Sequence, residues 1–389
     1  MSRFAIFVVL SFVFLLSACR AGGVEDSPVS TMEPVSSPTS IGATEILETP
    51  VPLTKTAQPT VLYVVGNTLV KQTGNRSPEI MAEFPVAGQV KAAILNNQDL
   101  FVLDEQGITQ VDLVDRSYER LMNFDNLAIA GQLILSDHDS KIVYSAVIED
   151  LNTPSSFATI IGAIEIERKT ELFRSYQATW VKLLGLTKDE TSLILLPVGQ
   201  DPEFDRIWLL DMSKSEVVKE VFLQGIGALV ASLSPNAQFL VTMGQIFATE
   251  AQPGQPPPEL GEVFSLYDLS SLDIPTHRDF TLPHSPSHFD TALWSSDSRR
   301  VYFFLLPGKS WEDPSASYGL WSFDVSTNEF SQVASISDVD LVLRGISSNG
   351  EWIWLEYWSM GRTLLVHIPS GESQPFDIPI GALIIEIAP

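Results

Sequence analysis

Apolar and polar positions along most of this chain alternate in short runs cut by turn residues, the pattern of half-buried β-strands. The clearest case is Trp294–Phe304, WSSDSRRVYFF: an apolar strand end, a tight Ser/Asp turn, then an apolar strand. The same word returns as LSDHDSKIVY from Leu135, LTKDETSLIL from Leu186, LSPNAQFLVT from Leu233 and ISSNGEWIWL from Ile346. Ser136, Thr187, Ser234, Ser295 and Ser347 head the five copies. Two residues on stands Asp189, Asn236, Asp297 or Asn349, with His138 in the first copy. A hydroxyl followed by Asp or Asn favours a turn held by side-chain-to-backbone hydrogen bonds. The heads lie 51, 47, 61 and 52 residues apart. That is the period of a propeller blade, and a blade needs neighbours to bury its two faces.

A looser second word follows the turns: IWLLDMSKSE to Glu216, FSLYDLSSLD to Asp273, LWSFDVSTNE to Glu329 and LLVHIPSGE to Glu372, while two earlier segments, ITQVDLVDRS to Ser117 and AIEIERKTE to Glu171, fit less well. Each unit therefore reads as strand A, Ser/Asp turn, strand B, loop, strand C, turn, strand D, a four-stranded blade. Asp211, Asp268 and Asp324 close strand C in three blades, and their expected role is to hold the C–D turn. Blades are expected at 92–124, 130–173, 180–222, 229–282, 291–335 and 343–379. Val61–Phe84 supplies three further strands, and Leu383–Ala388 is expected to complete that first blade and close the ring. The fold class is thus all-β, a single propeller over residues 61–389, with seven blades favoured over six.

The repeat word resembles the WD40-like β-propeller repeat of TolB-type proteins, whose usual form is Trp-Ser-Pro-Asp-Gly before an apolar strand. Trp294-Ser295-Ser296-Asp297 and Leu233-Ser234-Pro235-Asn236 carry the resemblance most closely, and the usual Gly stands only at Gly350. The resemblance covers five blades. It implies a fold and leaves the function open.

The start of the chain has a different character. Residues 1–18 hold one charge, Arg3, and an apolar run from Phe4 to Leu16 too short to span a bilayer, the core of a signal peptide. It ends Leu16-Ser17-Ala18-Cys19, which resembles a bacterial lipobox. That resemblance implies lipidation at Cys19, with the membrane reached through the lipid anchor only. Cys19 is the only cysteine, so no intramolecular disulfide forms. Residues 19–60 are rich in Pro, Ser, Thr and Glu and are expected to be a disordered tether. The expected location is extracytoplasmic, on the cell membrane or, since Arg20 rather than Asp follows Cys19, the outer membrane of a two-membrane cell.

In such a blade the A–B turns here are short and alike, whereas the B–C loops are long and differ. Long, variable loops on a rigid scaffold are where binding resides. Those loops place Asp150, Asp201, Glu203, Asp205, Arg206, Trp311, Glu312, Asp313, Tyr318, Trp358 and Arg362 on one face as candidate binding residues. Aromatics beside carboxylates suit a protein, peptide or glycan of the cell envelope. The alternative is a hydrolase or lyase acting on polysaccharide, with paired carboxylates at the channel mouth. No catalytic residue is assigned: the chain has neither a Gly-x-Ser-x-Gly elbow nor a phosphate-cradling Gly-rich loop. His277, His284 and His288, with Asp279 and Asp290, match no zinc spacing and are read as residues of a D–A connection. No cofactor is expected beyond weak calcium binding by the acidic loops. The excess of 48 acidic over 23 basic residues, net −25, disfavours nucleic acid as a partner.

Overall fold

In a computed structural model the chain forms seven antiparallel sheets arranged as a closed ring. The structure describes residues 58–136, 140–149, 157–198, 206–223, 227–245, 262–273, 275–283, 287–288, 291–307, 318–336, 341–357 and 362–388, with only the backbone at 227–229, 244–245, 262, 287–288, 306–307 and 318. Among these residues there is no helix. Residues 56–389 belong to one compact unit.

Blade 1 takes β1 (Thr60–Val65), β2 (Thr68–Thr73) and β3 (Glu79–Glu83) from the start of the ring. Blade 2 is β4 (Val90–Asn96), β5 (Asp99–Asp104), β6 (Gly107–Asp112) and β7 (Ser117–Asn123). Blade 3 is β8 (Ala128–Leu135), β9 (Lys141–Glu149), β10 (Phe157–Glu165) and β11 (Thr170–Gln177). Blade 4 is β12 (Trp180–Leu186), β13 (Ser192–Val198), β14 (Arg206–Asp211) and β15 (Glu216–Phe222). Blade 5 is β16 (Gly227–Leu233), β17 (Phe239–Gln245), β18 (Glu262–Asp268) and β19 (Thr276–Thr281). In blade 6 the inner edge comes in two pieces, β20 (Ser287–His288) and β21 (Ala292–Trp294), both paired with β22 (Arg300–Pro307), then β23 (Tyr318–Asp324) and β24 (Glu329–Ile336). Blade 7 is β25 (Leu341–Ile346), β26 (Trp352–Tyr357), β27 (Thr363–His367) and β28 (Glu372–Phe376). The last strand, β29 (Leu383–Ala388), pairs with β1 and becomes the inner strand of blade 1, with Ile387 opposite Val61. Both chain ends thus share one sheet, and no open sheet edge is left at the closure. Six blades are excluded, because Val61–Phe84 is a blade of its own once β29 joins it.

Burial follows position in the blade. Middle strands such as β5 are enclosed along almost their whole length, outer strands such as β15 alternate exposed and half-buried, and the inner strands β4 and β29 are mostly half-buried. Among the described residues the core is seven apolar clusters, one between each pair of neighbouring blades. Between blades 5 and 6 the filling is aromatic: Phe264, Phe280, Phe303, Phe323 and Phe330 pack with centroid separations of 4.7 Å to 6.5 Å. Such tilted and edge-on contacts suit the ring quadrupole and explain why a propeller consumes so many phenylalanines.

The repeated Ser turn has one construction. The head hydroxyl accepts the amide five residues on: Ser192 N at 3.1 Å on Thr187, Phe239 N at 2.8 Å on Ser234, Arg300 N at 2.9 Å on Ser295 and Trp352 N at 2.9 Å on Ser347. The same hydroxyl donates to Asp189, Asn236, Asp297 or Asn349 at 2.6–2.7 Å. That side chain's Oδ1 accepts the amide two residues further, from Thr191, Gln238, Arg299 or Glu351. The next position, where the usual motif has Gly, is left-handed: Glu190 (φ 53°), Ala237 (55°), Ser298 (59°) and Gly350 (72°). Three copies therefore carry a side chain where only glycine is free of strain. The C–D turns are held as expected, with Asp211, Asp268 and Asp324 accepting amides from Ser213, Ser270 and Ser326.

Blade 2 lacks the Ser turn and closes β4–β5 with Asn97 (φ 52°) and Gln98. Its polar anchor sits at the other end of β5. Asp104, 1% exposed, takes both Arg120 guanidinium nitrogens at 2.8 Å and the amides of Ala87, Gln106 and Gly107. Burial raises the Asp104 carboxyl, but the hydrogen bonds from Arg120, Ala87 and Gln106 and the Arg120 charge outweigh it and leave it below its usual value.

Candidate binding face

The alternation of strands gives the disc two faces. The A–B and C–D turns lie on one, the turn face. The B–C and D–A connections lie on the other, the loop face.

Polar groups on the turn face satisfy one another, often across blades. Lys141 Nζ reaches Glu190 at 3.0 Å, Ser298 Oγ accepts Asn236 N at 3.1 Å, Glu386 accepts Ser348 N at 3.1 Å, and Trp294 Nε1 donates to Ser232 O at 3.1 Å. Inside this lattice the channel mouth widens to a cavity of about 340 Å³, lined by Leu184, Leu186, Thr187, Leu233, Trp294 and Ile346 among others. A second hollow, about 750 Å³, runs between the turns of blades 4 and 5 past Asp189, Gln238 and Leu269.

Strands end differently on the loop face. Of twelve large apolar side chains exposed among the described residues, six stand there: Leu127, Ile129, Phe157, Trp180, Phe222 and Ile380. Five more lie within outermost strands, Ile80, Tyr118, Leu172, Tyr176 and Val218, and one, Val114, on a C–D turn. All but Ile380 of the loop-face group belong to blades 3 and 4 or to the connection entering blade 3. Trp180, 44% exposed, begins the inner strand β12 and meets Phe157 edge-on at 6.2 Å.

Two residues along β12, on the same side of the strand, is Lys182. Its Nζ donates to Ala231 O of the next blade at 3.4 Å. Among the described residues it makes no ion pair, and burial lowers its pKa with no carboxylate to oppose the shift.

Of the candidates read from the sequence, Arg206, Tyr318 and Arg362 lie at loop-face strand ends. Arg206 is engaged locally: its guanidinium lies 5.0 Å above the Phe222 ring and Nη1 is 3.3 Å from Glu220. Arg362 is exposed, and its carbonyl accepts Tyr357 N at 2.9 Å. Asp150, Asp201, Glu203, Asp205, Trp311, Glu312, Asp313 and Trp358, like Cys19, lie outside the described residues, as does the side chain of Tyr318.

The histidine reading needs one correction. His277 is in the outer strand β19, not in a D–A connection: residues 276–281 pair with β18, and His277 stacks on Tyr267 at 5.3 Å with Asp279 3.8 Å away. His284, Asp290 and the side chain of His288 lie outside the described residues. Among the described residues no three His, Cys, Asp or Glu side chains are grouped to hold a metal.

Sequence reading passed over Trp180, Lys182 and Phe157. The signal was present in WVKLLGL, where a lysine shares the phase of a tryptophan in an otherwise apolar inner strand.

No protein-family model matches the chain, and no curated protein matches it. Solved structures do resemble it in fold. A functionally unknown protein from Desulfotomaculum acetoxidans is 10% identical, with TM-score 0.54 over 85% of this chain and 99% of that one. An oligogalacturonate lyase from Vibrio parahaemolyticus is 11% identical, with TM-score 0.52 over 79% and 82%. The β-propeller domain of Cps50 (Swd1) from Myceliophteria thermophila is 9% identical, with TM-score 0.50 over 76% and 88%. At these identities the likeness is one of fold, and the fold is a seven-bladed β-propeller.

Proposed function

We propose that this propeller is a binding scaffold held outside the cytoplasm by a lipid on Cys19, and that it takes a protein, peptide or glycan on its loop face. One observation carries the choice of face. Exposed aromatic and aliphatic side chains collect there, on blades 3 and 4, while a single one stands on the turn face among the described residues. Exposed apolar groups gathered in one region mark interaction sites, and Trp and Tyr supply binding energy with little rotamer entropy to lose. The polar groups of the Ser turns, by contrast, are already spent on one another.

A thermal-shift screen of the full-length chain against glycans, peptidoglycan fragments and peptides tests this reading. A ligand bound by the folded ring alone raises its melting temperature by mass action. The expected result is a rise with one class that Trp180→Ala removes without lowering the unliganded melting temperature. A rise that Trp180→Ala leaves intact contradicts the face assignment. The anchor is tested separately: Cys19→Ala should release the chain from membranes, and continued membrane retention argues against lipidation.

A further inference from the structure

The repeated turn word does a second thing at the channel mouth. The residue just before each head hydroxyl is apolar in all five copies: Leu135, Leu186, Leu233, Trp294 and Ile346. All five line the turn-face cavity of about 340 Å³, so five successive blades build one wall. Each is backed by the next strand of its own blade. In register they face Ile142, Leu193, Leu240, Val301 and Ile353, all of them fully buried. Directly opposite residues share a side of the sheet, so each wall residue is held against an immobile neighbour. The polar groups of the same wall are committed. The Thr187 and Ser234 hydroxyls each accept an amide and donate to Asp189 or Asn236. The Ser232 carbonyl accepts the Trp294 indole N–H at 3.1 Å. Water in this space therefore finds few groups to bond, and an apolar body that displaces it loses little and buries its own surface.

We infer that this cavity is a binding site for a small, neutral, compact molecule of largely hydrocarbon character. Size, charge and rigidity each narrow the class. At about 30 Å³ of liquid volume per water-sized group, a space of about 340 Å³ holds about eleven such groups, the bulk of two fused six-membered rings. A protein, peptide or glycan of the kind assigned to the loop face exceeds that volume, so this site is separate and does not rest on that reading. An ionised ligand finds no counter-charge in need of a partner. The one charged side chain of the lining is Glu190, and its carboxylate already meets Lys141 at 3.0 Å. The wall is also set before a ligand arrives, because every rim residue packs on a buried partner, and little ordering is left to oppose binding.

Ligand-observed NMR on the full-length chain at neutral pH tests this with 2-naphthol and camphor, and with glucose as a polar counterpart of similar bulk. Both apolar probes should bind at submillimolar concentration and at least tenfold more tightly than glucose. Pro235→Trp fills the cavity from an exposed position at its mouth, and Ile346→Trp fills it from the wall of blade 7. Each should weaken both probes fivefold or more, and Trp180→Ala, on the other face, should not. The melting temperature without ligand shows that each variant is folded; if Ile346→Trp is not, Pro235→Trp decides. Tighter binding of camphor marks the natural ligand as aliphatic, and of 2-naphthol as aromatic. Apolar probes that do not bind at millimolar concentration, bind less than tenfold more tightly than glucose, or bind folded Pro235→Trp less than fivefold more weakly than the parent overturn the site. Loss in Trp180→Ala with retention in Pro235→Trp would put the probes on the loop face, and the cavity site would fall while the loop-face reading stands.

Discussion

The two faces of the disc are made by the same strands and finish them in opposite ways. On the turn face the inner strands of blades 4, 5, 6 and 7 each run into a hydroxyl that serves as acceptor and donor at once, and the amides of the turn are used within six residues. Neighbouring turns are then tied across blades. On the loop face the strands of blades 3 and 4 end in exposed Phe157, Trp180 and Phe222, and Lys182 lies just below. The difference teaches how a repeat divides labour. Polar groups that satisfy each other locally have nothing left to offer a ligand, whereas exposed apolar groups and an unpaired cation are costly unless something covers them.

The strongest way to break that comparison is in blade 2, where the loop-face side of the ring is internally satisfied by a buried ion pair. Arg120→Ala leaves Asp104 buried without its counter-ion and should cost about 3–5 kcal/mol in urea unfolding. The Asp104 carboxyl lies below its usual value in the folded ring, so its contribution is present above the ordinary carboxylate range near 4 and is lost as pH falls through the folded value. Acid unfolding should therefore be blunted in Arg120→Ala, and an unchanged acid profile would separate Asp104 from this role.

On the turn face, Ser347→Ala strips the acceptor from the amide of the buried Trp352 and should cost about 1–3 kcal/mol by the same measurement. A loss as small as that of an exposed serine would mean that water replaces the hydroxyl freely. Lys182→Met should act with the opposite sign and stabilise by on the order of 1 kcal/mol, because an uncompensated cation gives way to an apolar chain of similar shape. Destabilisation there would show Lys182 to be a structural tie. The smallest effect expected is at Ala237, whose φ of 55° suits glycine. Ala237→Gly should gain up to about 1 kcal/mol, the relief of left-handed strain less the added freedom of the unfolded chain. No gain would mean that the turn's hydrogen bonds, rather than Cβ strain, set its geometry.

Much of the fold is legible in the sequence because blades repeat. Ser136, Thr187, Ser234, Ser295 and Ser347 mark five inner-to-second-strand turns in register, and the apolar run at 383–388 has no partner of its own unless it returns to the first blade. Blade 2 carries no such marker, since Asn97-Gln98 makes its turn with two residues and no hydroxyl. His277 was misplaced because the nearby prolines at 275, 283 and 286 suggest a connection, while residues 276–281 between them are long enough to pair with β18. The candidate site was legible as a face and not as residues. Loop length points to the face, but exposure of Trp180 and isolation of Lys182 depend on which neighbours the ring brings to β12. Those neighbours, β8 and β16, lie about fifty residues away on either side in the chain.

The most direct measurement is a titration of the first ligand found into three full-length proteins: the parent, Trp180→Ala on the loop face, and Pro235→Trp, which fills the mouth of the turn-face cavity from an exposed position. Binding lost in Trp180→Ala and kept in Pro235→Trp is the predicted result. Binding kept in Trp180→Ala and lost in Pro235→Trp would place the site on the turn face and contradict the division of labour between the two.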